Sequence, residues 1–186
     1  SDKQLYALKI QKSAEKYIDS AFEEEEILNE VAQNFRDPEW TEFLRAHFKD
    51  PELEATRDHT HNLQMFDQFF HHSIHGKHHT MAMEVLGKNL LSLIKKYDYR
   101  GIPIPIVRRL ARQLLLGLDY MHRVCGIIHT DLKPENVVFA LTEQQKECYF
   151  QTGHLWRLDA NRLDPKGIVS VQSKGVDGHL VVVTPD

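Results

Sequence analysis

The strongest constraint on the fold of this chain lies between residues 103 and 139, where a helix pattern, a polar octet and a short apolar run follow one another. "PIPIVRRLARQLLLGLDYMHRV" (103–124) predicts a long amphipathic helix, with Ile106, Val107, Leu110, Leu114, Gly117, Leu118 and Met121 on one broad apolar face. Gly126 suits its stop. Ile127 and Ile128 form a short apolar run, then comes "HTDLKPEN" (129–136), then "VVF" as a second short strand. The octet is thus braced on both sides, and its side chains are presented from a fixed support.

That octet carries chemistry. Transfer of a phosphoryl group between oxygens needs positioning, a base beside the attacking hydroxyl and positive charge at the phosphates. Asp131 can orient a hydroxyl and accept its proton. Lys133 can neutralise the group in flight. Asn136 offers a neutral oxygen of the kind Mg²⁺ prefers. The bland alternative is a polar connection between a helix and a strand, and the flanking elements argue against it.

Upstream, "QLYALKI" (4–10) reads as a strand ending near Lys9, and residues 16–35 read as a helix. Tyr17, Ala21, Leu28, Val31 and Phe35 share a stripe whose spacing leaves a slot at residue 24. Of the acids in "EEEE" (23–26), Glu24 is therefore turned inward, Glu23 and Glu26 face solvent, and Glu25 is hard to place. A carboxylate on an apolar stripe needs a cation, and Lys9 is the natural partner.

Residues 36–62 form a polar insertion holding one short helix, "PEWTEFLRAHF", with Trp40, Phe43, Leu44 and His47 on one side and Pro after Asp as its start. "LQMFDQFF" (63–70) and "HTMAMEVL" (79–86) predict two strands joined by a polar loop, and "NLLSLIKKY" (89–97) predicts a helix. In "MAMEVLGKN" a buried strand runs into a Gly-marked linker. It suits a wall and hinge, with backbone at Glu84 and Leu86 reading the edge of an adenine ring and Met83 lining the back. The expected fold is α+β and two-lobed, with the hinge near Glu84 to Lys88. After residue 140 the periodicity fades into a loop-rich stretch with at most one hairpin.

These stretches resemble eukaryotic protein kinases, and more narrowly the SR-protein kinases, which phosphorylate serines of arginine/serine-rich splicing factors. The resemblance rests on "ALKIQKSAEKY", "EVLGKNLLSLIKKYDYRGIP" and "QLLLGLDYMHRVCGIIHTDLKPEN". His129, Asp131, Leu132 and Asn136 match the catalytic-loop pattern H-R-D-L-x-x-x-N. The loop alone is also similar to that of the LAMMER dual-specificity kinases, but the hinge and "KKYDYRGIP" favour the SR-protein kinases. The resemblance implies an incomplete kinase-like fold. Residues 1–86 would be part of the small lobe, with the insertion at about 36–62. Residues 87–139 would open the large lobe and include the catalytic loop, and 140–186 would begin a spacer. It implies ATP and Mg²⁺ as cofactors, Lys9 on the phosphates and Glu24 as its helix partner. It further implies Glu84 and Leu86 as hinge contacts, Asp131 as proton acceptor, Lys133 on the transferred phosphate and Asn136 on Mg²⁺.

Two departures stand out. No Gly-rich phosphate loop precedes Lys9, and no D-F-G-like triplet is recognised after Asn136; Val176-Asp177-Gly178 lacks the expected strands before it. A chain that opens inside a strand is expected to be a piece of a longer protein, inactive alone. In many kinases the residue at position 130 is an Arg that pairs with a phosphate on the activation loop. Thr130 carries no charge, so the intact enzyme is expected not to need that phosphate.

The remaining features narrow the class. A formal net charge of −4 gives no reason to expect nucleic acid or an anionic membrane as partner, and is permissive of a basic substrate. No apolar run approaches the ~18 residues of a membrane span. Cys125 and Cys148 lack metal-type spacing and suit a reduced, intracellular protein. A monomer acting on arginine/serine-rich proteins in cytoplasm and nucleus is the resulting expectation. The alternatives are a non-catalytic scaffold derived from a kinase, and metal binding by "HHSIHGKHH" (71–79), which reads more simply as a solvated loop.

Overall fold

The computed structural model describes residues 5–142, 144–147, 168–170 and 179–183, the last two stretches as backbone only. Strand β1 (Tyr6–Ile10) is followed by helix α1 (Glu15–Gln33), which ends in a 3-10 turn at Asn34–Arg36. Helix α2 (Pro38–Phe48) starts as its sequence predicts: the Asp37 side chain accepts the Trp40 N–H at 2.9 Å, with Pro38 in the first turn. Strands β2 (Met65–Ser73) and β3 (Gly76–Glu84) form a hairpin, and β4 (Leu86–Asn89) leads into α3 (Leu90–Lys96). Helix α4 (Ile104–Asp119) continues as a π-helical turn over Tyr120–Val124. Strand β5 (Val137–Ala140) follows the octet, and β6 (Ile168–Ser170) and β7 (His179–Val183) complete the described elements.

The strands form two sheets, in the orders β2-β3-β1-β7 and β4-β5-β6. Helix α1 packs on the first, while α3 and α4 accompany the second, so the α+β, two-lobed arrangement expected from sequence is present. Leu28 of α1 meets Leu63, Met65, Met81 and Met83 beneath the first sheet. Leu93, Leu110, Val137 and Phe139 form the core of the second.

Several expectations are corrected. The His-rich stretch is not a loop. His71 pairs with His78 and His72 with Lys77 across the β2–β3 ladder, which leaves a tight turn whose positive φ of 117° falls on Gly76. Strand pairing spreads these side chains along two strands, and among the described residues no group of three or more His, Cys, Asp or Glu is placed to hold a metal ion. The apolar face of α4 lies inward as predicted from Ile106 through Met121 except at Val107, which is exposed, and it is widened by Gln113 and Leu116, which are buried beside Leu110 and Gly117. Ile127 and Ile128 form no strand, and Ile128 is 72% exposed. The residues after 140 contribute no hairpin of their own among the described residues, because β6 pairs with β5 and β7 with β1. Val176-Asp177-Gly178 lies outside the described residues.

The segment read as a polar insertion is built into the core. Trp40 and Leu44 of α2 are fully buried against Val31, Ala55 and Tyr120. Its far end, Thr60 to Gln64, lies across α4 at Gly117. The Asn62 amide donates to the Gly117 carbonyl at 3.1 Å, and a Cβ on Gly117 would stand 3.1 Å from the His61 carbonyl oxygen. Polar composition hid this, because the polar groups here serve one another: Gln64 donates through its amide to the Asn62 carbonyl, and Asn62 to the Thr60 carbonyl. Among the described residues no helix is long and apolar enough to cross a membrane.

Candidate active site

Strand alternation places Lys9 on the face of β1 that α1 covers, and helical periodicity turns Glu24 toward it. The Lys9 ammonium reaches both carboxylate oxygens of Glu24 at 2.6 Å, with 13% and 9% of the two side chains exposed. An ion pair this dry needs good geometry to offset desolvation, and the two-oxygen contact supplies it. The adjacent Glu25, which periodicity left unplaced, reaches His79 of β3, with Oε2 2.7 Å from Nε2.

The residues expected at the hinge lie at the end of β3 and the start of β4. Met83 is buried and paired in register with Ala7 on one side and Met65 on the other. The Glu84 N–H donates to the Gln64 carbonyl at 3.0 Å, and the Glu84 carboxylate accepts the Gln64 N–H at 2.9 Å. The Glu84 side chain, which the sequence left without a role, thus ties β3 back to the segment crossing α4. Leu86 opens β4 and stands opposite Ala140 in β5, so the linker is itself a short strand.

Below the hinge, the octet is shaped by one unusual residue. Thr130 has φ of 56°, a left-handed conformation that a β-branched side chain disfavours. The Asp131 N–H bonds back to the His129 carbonyl at 2.7 Å, an i to i+2 contact of the γ-turn type. This fold-back aims the Asp131 carboxylate at the residues that follow. Its Oδ2 accepts from the Lys133 ammonium at 2.9 Å and from the Asn136 amide at 3.0 Å, and the same amide donates to the Asp131 carbonyl at 3.0 Å. The 3-10 turn at Pro134–Asn136, entered through proline, carries Asn136 back to Asp131. Asp131 and Lys133 remain about half exposed.

The electrostatics follow from these contacts. The hydrogen bond from Lys133 holds the Asp131 carboxyl below its ordinary value, aided by the Lys133 charge and the Asn136 amide against a smaller cost of desolvation. The same contact with Asp131 raises the Lys133 ammonium. The loop therefore presents an ionised carboxylate, a cation and an amide oxygen in one cluster. That set can accept a hydroxyl proton, neutralise a phosphoryl group and offer hard oxygen donors to a divalent cation.

The sequence-predicted residues thus fall into three groups: Lys9 with Glu24, Met83 with Glu84 and Leu86 along the hinge, and Asp131 with Lys133 and Asn136. The structure adds Gln64, which carried no motif, and His79, which stood in the His-rich run weighed for metal binding and which the strand period sets on the Met81 face of β3.

A family model described as the protein kinase domain matches residues 45–159. Among curated proteins, the chain is 53% identical over 97 residues to the serine/threonine-protein kinase SKY1 of Saccharomyces cerevisiae, covering 52% of this chain and 13% of that protein. It is 40% identical over 141 residues to the protein kinase dsk1 of Schizosaccharomyces pombe, covering 76% and 23%. It is 39% identical over 139 residues to the SRSF protein kinase 3 of Mus musculus, covering 75% and 21%. The chain therefore spans between about an eighth and a quarter of the length of these relatives.

Proposed function

The chain belongs to the protein kinase family, with relatives in its SR-protein kinase branch, and from that premise we propose that it carries the catalytic loop, phosphate-anchoring lysine and hinge of an ATP-dependent serine/threonine kinase. The carrying observation is the cluster of Asp131, Lys133 and Asn136, closed by contacts of 2.9 and 3.0 Å on a single carboxylate oxygen.

The donor set fits the cofactors that protein kinases use in general. Carboxylate and amide oxygens at Asp131 and Asn136 suit a hard cation, and an ammonium held by Glu24 suits nucleotide phosphates. In this reading Asn136 holds Mg²⁺, Lys9 holds phosphate, backbone at Glu84 and Leu86 reads the adenine edge, and Met83 lines the pocket. When bound, ATP supplies the phosphoryl group and Mg²⁺ supplies charge that offsets its oxygens. The chain's own residues do the rest. Asp131 orients the serine hydroxyl and accepts its proton, and Lys133 neutralises negative charge where the phosphate passes. Glu24 holds the Lys9 ammonium in place through both its carboxylate oxygens.

Substrate class is read from kinship: one relative is named an SRSF protein kinase, so arginine/serine-rich proteins are the proposed substrates. The mild acidic balance of the chain suits such basic partners. Action as a monomer, in cytoplasm and nucleus, belongs to the same proposal.

The test uses the protein expressed from its complete reading frame, with radiolabelled ATP and an arginine/serine peptide. Phosphoserine is the expected product, and Asp131→Ala should abolish it. A wild-type protein that labels no such peptide, while remaining folded, would move the reading to a non-catalytic scaffold.

A further inference from the structure

We propose that His79 and Glu25 are positioning residues: they clamp helix α1 to strand β3 and thereby hold Glu24 against Lys9. This rests on the kinase reading for its consequence in activity, but its structural basis is independent of that reading.

Glu24 and Glu25 are neighbours, about 100° apart around the helix. Glu24 binds Lys9 on β1, and Glu25 binds His79 on the adjacent strand β3. Lys9 stands opposite Met81 in the antiparallel ladder, and His79 lies two residues from Met81 on the same face of the sheet. The helix is therefore attached to two strands at two different points. A single ion pair would let α1 roll about the contact. Two attachments in different directions fix both its rotation and its height.

His79 is suited to be the fixed end. Only 2% of it is exposed, and its ring stands edge-on to Phe22 of α1 and Phe70 of β2, with centroids 5.2 and 5.5 Å away. Its backbone is held as well, since the Gln11 N–H donates to the His79 carbonyl at 2.9 Å. Its Nδ1 is buried with no partner among the described residues, so the polar bonding of the ring is concentrated in Nε2 and Glu25. A buried ring whose polar contact comes from one helix residue strongly favours the single helix placement that provides it.

Three variants separate this role from plain packing, all made in the protein expressed from its complete reading frame. His79→Phe keeps an aromatic ring between Phe22 and Phe70 but cannot donate. Glu25→Ala removes the acceptor and leaves the ring, on a helix that tolerates alanine well. His79→Gln retains an N–H donor and serves as the rescue. Amide hydrogen exchange of α1 is read alongside KM for ATP and kcat.

The expected result is about tenfold faster exchange from Phe22 to Leu28 in His79→Phe and Glu25→Ala, as loss of one buried hydrogen bond predicts. KM for ATP should rise more than kcat falls, and His79→Gln should recover most of both. Unchanged exchange in α1 with Glu25→Ala, or equal disturbance by His79→Phe and His79→Gln, would overturn the clamp. If the wild-type protein transfers no phosphate, the kinase reading fails by itself, and the exchange data alone decide the clamp.

Discussion

Tyr120 donates its hydroxyl hydrogen to the Val31 carbonyl oxygen across 2.7 Å of buried space, joining the end of α4 to the last turns of α1. Val31 lies two residues before the end of α1, where helical carbonyls lack partners along the chain. The turn that follows α4 thus completes the end of α1, and the same Tyr120 packs on Trp40 of α2, with centroids 5.2 Å apart.

Tyr120→Phe keeps the ring and orphans the carbonyl, so it should lower stability by about 1–2 kcal/mol in urea unfolding. Burial, with smaller contributions from Cys125, Glu30 and Asp37, pushes the Tyr120 hydroxyl far above its ordinary value of 10.0. A folded-state value raised above the unfolded one gives stability that is full below the ordinary value and lost as pH climbs toward the folded one. Wild-type stability should therefore decline above about pH 10. The decline should be shallower in Tyr120→Phe, as urea midpoints taken across that range would show.

Lys9→Met should leave the Glu24 carboxylate buried without its cation. Turnover is expected to fall by about 10²–10³, the usual cost of one removed electrostatic donor. Stability should also fall, since breaking a dry pair costs more than the pair contributes. Steady-state kinetics beside thermal unfolding would check both, and an unchanged kcat would remove Lys9 from the site.

Lys133→Ala removes the main cause of the low Asp131 value. The acid limb of the kcat/KM profile should then move to higher pH, because Asp131 would begin to protonate nearer its ordinary range. In the wild type the depressed folded value works in the opposite sense. Its contribution to stability is present above the unfolded Asp value and is lost as pH falls through the folded one. A profile unmoved by the substitution would place the controlling base elsewhere.

Gly117→Ala sets two effects against each other. Alanine gains about 1 kcal/mol of helix propensity over glycine. The new Cβ would stand 3.1 Å from the His61 carbonyl oxygen and 3.3 Å from its Cβ, and the nearer obstacle is backbone. Overpacking of this kind costs roughly 1–3 kcal/mol, so a net loss of about 1 kcal/mol is expected in denaturant titration.

Thr130→Gly should relax the left-handed turn before Asp131. Strain at such a residue amounts to roughly 1–3 kcal/mol, and the added chain freedom of glycine costs about 0.5–1 kcal/mol, so a small net gain in thermal stability is expected. Turnover should fall, since a looser turn fixes Asp131 less well. Because Thr130 has no charge to pair with a phosphate, wild-type activity should also survive phosphatase treatment.

The sequence by itself determined whatever depends on near neighbours. The Asp37-Pro38 cap, the long α4 pattern and the spacing within the octet are local, and so is the inward turn of Glu24, which follows from helix period alone. Its contact with Lys9 was foreseeable because a buried acid needs a cation and one stood on the preceding strand. Only the tertiary structure decided what depends on partners remote in the chain. It left Val107 exposed and buried Gln113, and it set Gly117 of α4 against the Thr60 to Gln64 segment, a contact that no period along α4 reveals. It drew the polar 36–62 stretch into the core, because those polar groups could satisfy one another once folded. It made paired strands of the His-rich run, because ladder hydrogen bonds are indifferent to side-chain polarity at an exposed hairpin end. And it gave Glu25 to His79, a pairing across 54 residues that exists only once strand register and helix rotation are both fixed.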